Sequence, residues 1–270
     1  MRKKMIAGNW KMNIPQVGPG PDGLKRFIAS VKKGLCCKIN PDEVEVVLCV
    51  PYVVLQSVKD ELGINSPIKV GSQNMHYMDD GEYTGEISGN MLKFMGINHV
   101  VIGHSERRER FAETDTTVNL KVGMALKRGI TPIICVGESQ RQNTGNRRFV
   151  VLQKQVSFAL DELTRDDVTK TVFAYEPIWA IGTGLTPEAR EAEEACKFIR
   201  QRIADKFDAE AAETVRVIYG GSVKPSNAKE FFSQPNIDGG LIGGASIKMM
   251  EDNKDVPQFI DVVLAGVCNG

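Results

Sequence analysis

Eight short runs of β-branched or apolar residues recur along this 270-residue chain, at residues 5–7, 45–50, 68–71, 99–102, 131–136, 171–175, 215–219 and 239–242. Neighbouring runs lie roughly 25–45 residues apart, room for a crossover helix each, which is the spacing of βα units in a parallel sheet. The runs are continuously apolar, as strands covered on both faces must be. Helical periods fill the gaps: Phe149, Leu152, Val156, Leu160 and Leu163 keep a 3–4 spacing, as do Ala189, Ala192, Cys196, Ile199 and Ile203. The stretch 116–128 reads as a helix stopped by Gly129. No Pro/Gly-rich linker or charge run divides the chain. The expectation is an α/β protein, one domain over residues 1–270: a closed (β/α)8 barrel of eight parallel strands with an outer ring of helices. An open doubly wound sheet seldom needs eight strands.

Composition narrows the partners. Lysine plus arginine equals aspartate plus glutamate, 34 each, so no nucleic-acid or anionic-membrane partner is expected. No apolar run approaches the length of a membrane span, and the basic start lacks the apolar stretch of a signal peptide. Six cysteines are scattered in no metal-ligand spacing, so no metal is expected and a reduced, cytoplasmic setting is the simplest reading.

Barrels of this kind place their chemistry on the loops after the strand C-termini. Strand six ends in Tyr175-Glu176-Pro177-Ile178-Trp179-Ala180-Ile181-Gly182-Thr183-Gly184. A carboxylate at a strand mouth, followed by an apolar segment between stiff ends, fits a catalytic base under a hinged lid; a solvated glutamate on an ordinary loop fits equally well. Thr186-Pro187-Glu188 then reads as an N-cap, a first-position proline and an acidic first turn. Strand one runs into Asn9-Trp10-Lys11, where Asn9 and Lys11 point the same way if the strand continues; taken alone, Lys11 reads as a surface lysine. Strand four runs into Gly103-His104-Ser105-Glu106-Arg107-Arg108. Helical N–H groups beside His104 would favour its neutral ring. Alone, His104 reads as a capping or core histidine. Glycine turns close strands seven and eight, at Tyr219-Gly220-Gly221-Ser222 and Gly243-Gly244-Ala245-Ser246. Loops at those two strand ends commonly hold a phosphate on backbone N–H groups.

Together and in this order, these five motifs resemble the triosephosphate isomerase family over residues 5 to about 265. The resemblance implies interconversion of D-glyceraldehyde 3-phosphate and dihydroxyacetone phosphate through an enediolate, in glycolysis and gluconeogenesis, with no cofactor. It implies Glu176 as base, His104 as electrophile, Lys11 as balancing cation with Asn9 beside it, and Glu106 in a support or relay role. Backbone donors to the phosphate would come from Gly182, Ser222, Gly243 and Gly244. Trp179, Ala180, Ile181, Gly182 and Thr183 would form the lid, with Ile181 and Leu241 squeezing water from the base. The loop from Gln73 to Glu86 matches a segment that enters the partner of a homodimer, with Thr84 near the neighbour's site and Arg107 near the interface.

Four stretches depart from the family pattern: the far lid hinge Leu185-Thr186-Pro187, a Pro/Gly-rich loop over residues 13–21, the segment 139–146, and an apparent insertion at residues 249–257. Two other readings are another phosphate-binding barrel enzyme, such as a sugar-phosphate epimerase, and a non-catalytic scaffold with the same fold. The Lys11, His104 and Glu176 set argues against both.

Overall fold

In the computed structural model, which describes residues 2–18, 22–181 and 187–267, the eight apolar runs are eight parallel strands. They are β1 (Lys4–Asn9), β2 (Val44–Cys49), β3 (Ile68–Gly71), β4 (His99–Ile102), β5 (Thr131–Val136), β6 (Val172–Tyr175), β7 (Arg216–Tyr219) and β8 (Gly239–Ile242). The order β3-β2-β1-β8-β7-β6-β5-β4 is closed by a parallel bridge from Ser72 to Val100. At this seam Ser72 N–H donates to His99 O (2.9 Å) and Val101 N–H to Ser72 O (3.0 Å). The result is a (β/α)8 barrel.

The two-residue period of each strand sorts its side chains into two cores. Met5, Ala7, Val47, Cys49, Val101 and Ile133 belong to the inner one, which fills the barrel. Their neighbours Ile6, Val46, Leu48, Val100 and Ile134 belong to the larger core between strands and helices. Helix Ala189–Lys206 buries Ala189, Ala192, Cys196, Ile199 and Ile203, the stripe read from the sequence. Helix Asp115–Lys127 is capped by Thr114, and Gly129 follows its end at φ +63°, the left-handed conformation that suits glycine.

Local readings need two corrections. Phe149 does not face the core; it is 41% exposed and lies against Phe198 with ring centroids 4.8 Å apart. Helix Ala189–Lys206 begins later than the Thr186 cap implied: Glu188 is the N-cap, its N–H donating to Glu191 Oε2 (3.2 Å), and buried Pro187 stands before it. Thr186 itself lies outside the described residues.

Candidate active site

At the C-terminal mouth of the barrel, a cavity of about 480 Å³ is lined by Asn9, Lys11, His104, Glu176, Ile181 and Ser222, with Leu241, Gly243 and Gly244 on its other walls. Nearly every residue singled out at the strand ends therefore shares one space. Glu106 reaches it through Lys11, whose Nζ lies 2.6 Å from Glu106 Oε1. Gly182 and Thr183 lie outside the described residues.

The backbone of Glu176 extends β6 by one residue and is held from both sides. Glu176 N–H donates to Val136 O (2.8 Å), and Gly220 N–H donates to Tyr175 O (2.7 Å). The β5 side comes so close that a Cβ on Gly137 would sit 1.7 Å from Glu176 O, which requires glycine there. The side chain is 2% exposed. Its Oε2 accepts from Ser105 N–H (2.9 Å), and its Oε1 lies 2.9 Å from His104 Nε2. That second contact is near but off the donor's axis, so Oε1 is left without an aligned hydrogen bond. Burial pushes the Glu176 carboxyl up, but His104, the Ser105 N–H and Lys11 outweigh it and hold it below the usual range.

His104 is the N-cap of helix Ser105–Arg110, its Nδ1 accepting from Glu106 N–H (3.3 Å). Burial disfavours the charged ring, yet the facing Glu176 carboxylate outweighs burial and raises the pKa above the ordinary histidine value. The expectation of a ring held neutral by helix N–H groups alone is therefore incomplete. With Glu176 beside it, the ring is drawn toward the imidazolium. The Glu106 N–H that donates to Nδ1 favours the tautomer with its proton on Nε2.

Lys11 reaches the cavity by a different route from continued strand geometry. β1 stops at Asn9, and Lys11 takes φ +53°, a left-handed conformation that costs a non-glycine residue on the order of 1 kcal/mol. An Asx-type turn offsets it, with Lys11 N–H donating to Asn9 Oδ1 (3.0 Å). Trp10, fully buried and edge-on to Phe27 at 5.8 Å, anchors the turn.

Two supporting glutamates escaped the sequence reading because nothing in periodicity distinguishes a buried carboxylate from a solvated one. Glu113 accepts from Gly103 N–H (2.9 Å), Arg107 Nε (2.7 Å) and Lys121 Nζ (2.9 Å), fixing the turn that carries His104. Burial pushes its carboxyl up, but the two cations outweigh burial and lower it. Glu138, fully buried after β5, accepts from Tyr175 OH (3.0 Å) and Trp179 Nε1 (2.9 Å). Burial raises its pKa. It pins the start of the segment 178–181, whose Ile178 N–H donates to Glu138 O (3.0 Å). Ser105 was read only as part of a motif; its N–H is what seats Glu176. Lys224, Lys248 and Glu251 also line the cavity and were not foreseen.

The loop 73–86 stands away from the cavity, stiffened by His76, which stacks on Tyr77 (4.3 Å) and lies tilted against Tyr83 (4.5 Å). Thr84 at its tip is exposed. Arg107 is half-buried against Phe111 at 5.2 Å. Among the described residues, no group of three His, Cys, Asp or Glu is placed to hold a metal ion, and no helix is long and apolar enough to cross a membrane.

Known proteins bear on this geometry. The family model described as triosephosphate isomerase matches residues 4–264. A protein of Acetivibrio thermocellus named triosephosphate isomerase is 47% identical over 253 residues, 94% of this chain and 97% of the relative. Relatives of the same name from Alkaliphilus metalliredigens and Alkaliphilus oremlandii are 46% and 45% identical, over 92% and 93% of this chain and 96% and 97% of their own lengths. With the barrel, the strand-end cavity and a match over nearly its whole length, the chain is an enzyme of the triosephosphate isomerase family.

Proposed function

We propose that the chain interconverts D-glyceraldehyde 3-phosphate and dihydroxyacetone phosphate through an enediolate, serving glycolysis and gluconeogenesis. The observation that carries this reading is the single cavity in which Glu176, His104 and Lys11 face the glycine turns at Ser222, Gly243 and Gly244. Glu176 leaves the Ser105 N–H, takes a proton from one substrate carbon and returns it to the neighbouring one. His104, neutral once the carboxylate has moved, donates Nε2–H to the carbonyl oxygen as negative charge gathers there and carries protons between the two oxygens. Lys11, steered by Glu106, balances the phosphate and the enediolate, and Asn9 donates beside it. These supply the two requirements of the reaction: a positioned base, and stabilisation where the oxyanion forms. Because only protons move, the chemistry calls on no cofactor.

The phosphate is assigned to backbone N–H groups of Gly182, Ser222, Gly243 and Gly244. Trp179, Ala180, Ile181, Gly182 and Thr183 are assigned to a lid that closes over it. Closure presses Ile181 and Leu241 around the base, and the loss of water raises its basicity. Pro187 stiffens the far hinge, so Pro187→Ala should change the lid-opening rate and leave the chemistry alone; an unchanged opening rate would count against that role.

The molecule is also assigned to a homodimer. Exposed Met12 (96%), Val53 (83%) and Phe94 (94%) leave apolar surface that a second copy would cover. An apolar groove between Tyr52, Leu55, Met91 and Phe94 suits the preformed loop 73–86 of that copy, bringing Thr84 to its neighbour's site and Arg107 to the interface. Buried free thiols at Cys49, Cys135 and Cys196 fit the reducing cytoplasm. A coupled isomerase assay on the pure protein tests the function. Glu176→Asp should slow turnover by well over ten-fold; a rate within a few-fold of the unmodified enzyme would remove Glu176 as the base.

A further inference from the structure

The segment 249–257, the apparent insertion, folds back on itself between the glycine turn after β8 and the last helix, Gln258–Val267. Met249 bridges Pro257 in antiparallel fashion, and Met250 N–H donates to Val256 O (2.8 Å). Gln258 ties its base: the backbone N–H donates to Lys248 O (2.9 Å) and Nε2 to Met249 O (3.0 Å). The fold-back has a consequence for the cavity. Glu251 is brought onto the wall that Gly243 and Gly244 also form. Of the charged residues 251–255 only Glu251 lines the cavity, where it faces a pocket assigned to a dianion together with Lys224 and with Lys248, whose Cε lies 3.8 Å from where a Cβ on Gly244 would sit. Among the described residues no ion pair or hydrogen bond neutralises the Glu251 side chain, which is exposed.

We propose that Glu251 is a specificity-determining residue that weakens binding of anions at the glycine turns and disfavours ligands of higher negative charge. The inference rests on the assignment of the phosphate to Gly243 and Gly244. A like charge across a solvent-filled cavity a few residues wide acts through a high dielectric and within a Debye length. Its effect on a dianion is therefore modest, about two- to four-fold in affinity, and shrinks with salt. The rim charge touches no reacting atom, so the chemical step should not feel it. The advantage to the enzyme is discrimination: a bisphosphorylated sugar meets more repulsion than a monophosphorylated triose, and inorganic phosphate is held less tightly.

The test is steady-state kinetics of Glu251→Gln and Asp252→Asn at low and high ionic strength, with inorganic phosphate as competitor. For Glu251→Gln the expectation is a two- to four-fold fall in both the KM for dihydroxyacetone phosphate and the inhibition constant of phosphate. Turnover should be unchanged and the difference nearly abolished at 0.5 M salt, a concentration at which screening is short-ranged. Asp252→Asn, exposed and away from the cavity wall, should move both constants less. Equal constants for Glu251→Gln and the unmodified enzyme at low salt would overturn the proposal, as would an equal shift for both variants, which would make the effect one of net charge. If phosphate fails to compete with substrate in the unmodified enzyme, the phosphate assignment itself fails. If it competes but Glu251→Gln leaves its constant untouched, only the role of Glu251 fails.

Discussion

The two ends of the barrel use charged residues in opposite ways. At the floor, where the strands begin, the charged groups are paired with one another, although His99 Nδ1 is buried without a hydrogen-bond partner. Arg200, 5% exposed, donates to Asp238 Oδ2 (2.6 Å), Val215 O (2.8 Å) and Asn236 Oδ1 (3.1 Å). Asp238 also accepts from Val217 N–H (2.8 Å) and Arg2 Nε (2.7 Å). Glu45 at the start of β2 joins His99 of β4 (3.2 Å) and Arg216 of β7 (2.5 Å). At the mouth, the groups are left wanting. Glu176 Oε1 and Glu138 Oε2 are buried without an aligned donor, and Lys11 sits in a left-handed turn. A saturated buried pair holds strands in place, whereas an incompletely satisfied group has reason to change partners. The floor is built to stay as it is, and the mouth is where the proposed proton transfer would run.

That contrast can be broken first at the mouth. Lys11→Met should cut kcat/KM by about 10²–10³-fold, the scale for losing one preorganised charge at a developing oxyanion, with no loss of melting temperature because it also removes no core contact. His104→Gln should cost about 10²-fold or more in turnover. A fall in Tm matching the fall in rate for either variant would place these residues in the scaffold instead.

The floor should respond the other way. Arg200→Met leaves Asp238 with fewer partners and takes the donor from the Val215 and Ala212 carbonyls, and should cost about 3 kcal/mol, or roughly 10 °C in Tm for a chain of this size. The folded fraction should keep its kcat. A large fall in kcat at a temperature where the variant is fully folded would join the two ends that the comparison separates.

Smaller effects sharpen the boundary. Glu138→Gln weakens the tie to Trp179 and should lower turnover about ten-fold, the rate equivalent of one ordinary hydrogen bond, with little change in Tm. Stopped-flow fluorescence of the tryptophans would show whether the segment 178–181 is loosened. At Glu45, burial raises the carboxyl while His99 and Arg216 outweigh it and hold it well below its ordinary value of 4.5. A depressed folded pKa contributes stability above the ordinary value and loses it as pH falls below. Thermal melts should therefore show a steeper loss of stability below pH 4.5 in the unmodified protein than in Glu45→Gln; parallel curves would remove Glu45 from the acid response.

Much of the barrel was legible because a strand buried on both faces has to be continuously apolar, and eight such runs at crossover spacing leave few topologies. β6, read as residues 171–175, begins one residue later at Val172, and β1 extends to Asn9 past the apolar run. The cavity's residues were visible at strand ends, but their local causes were not. Asn9 and Lys11 share the cavity through a turn with positive φ, which no alternation encodes. Glu113 and Glu138 look like any other glutamate until the fold surrounds them. Phe149 fits a helical stripe and still faces outward, because the period gives the spacing of a face and not its limits.

Glu176 rests on the Ser105 N–H, and the proposed mechanism has it leave that donor to take a carbon-bound proton. A crystal structure with a phosphate-bearing enediolate analogue tests it most directly. The Glu176 carboxylate should lie beside the analogue's reacting carbons, clear of Ser105 N and His104 Nε2, with the phosphate against Gly243 and Gly244. A carboxylate still 2.9 Å from Ser105 N with the analogue fully bound would contradict it.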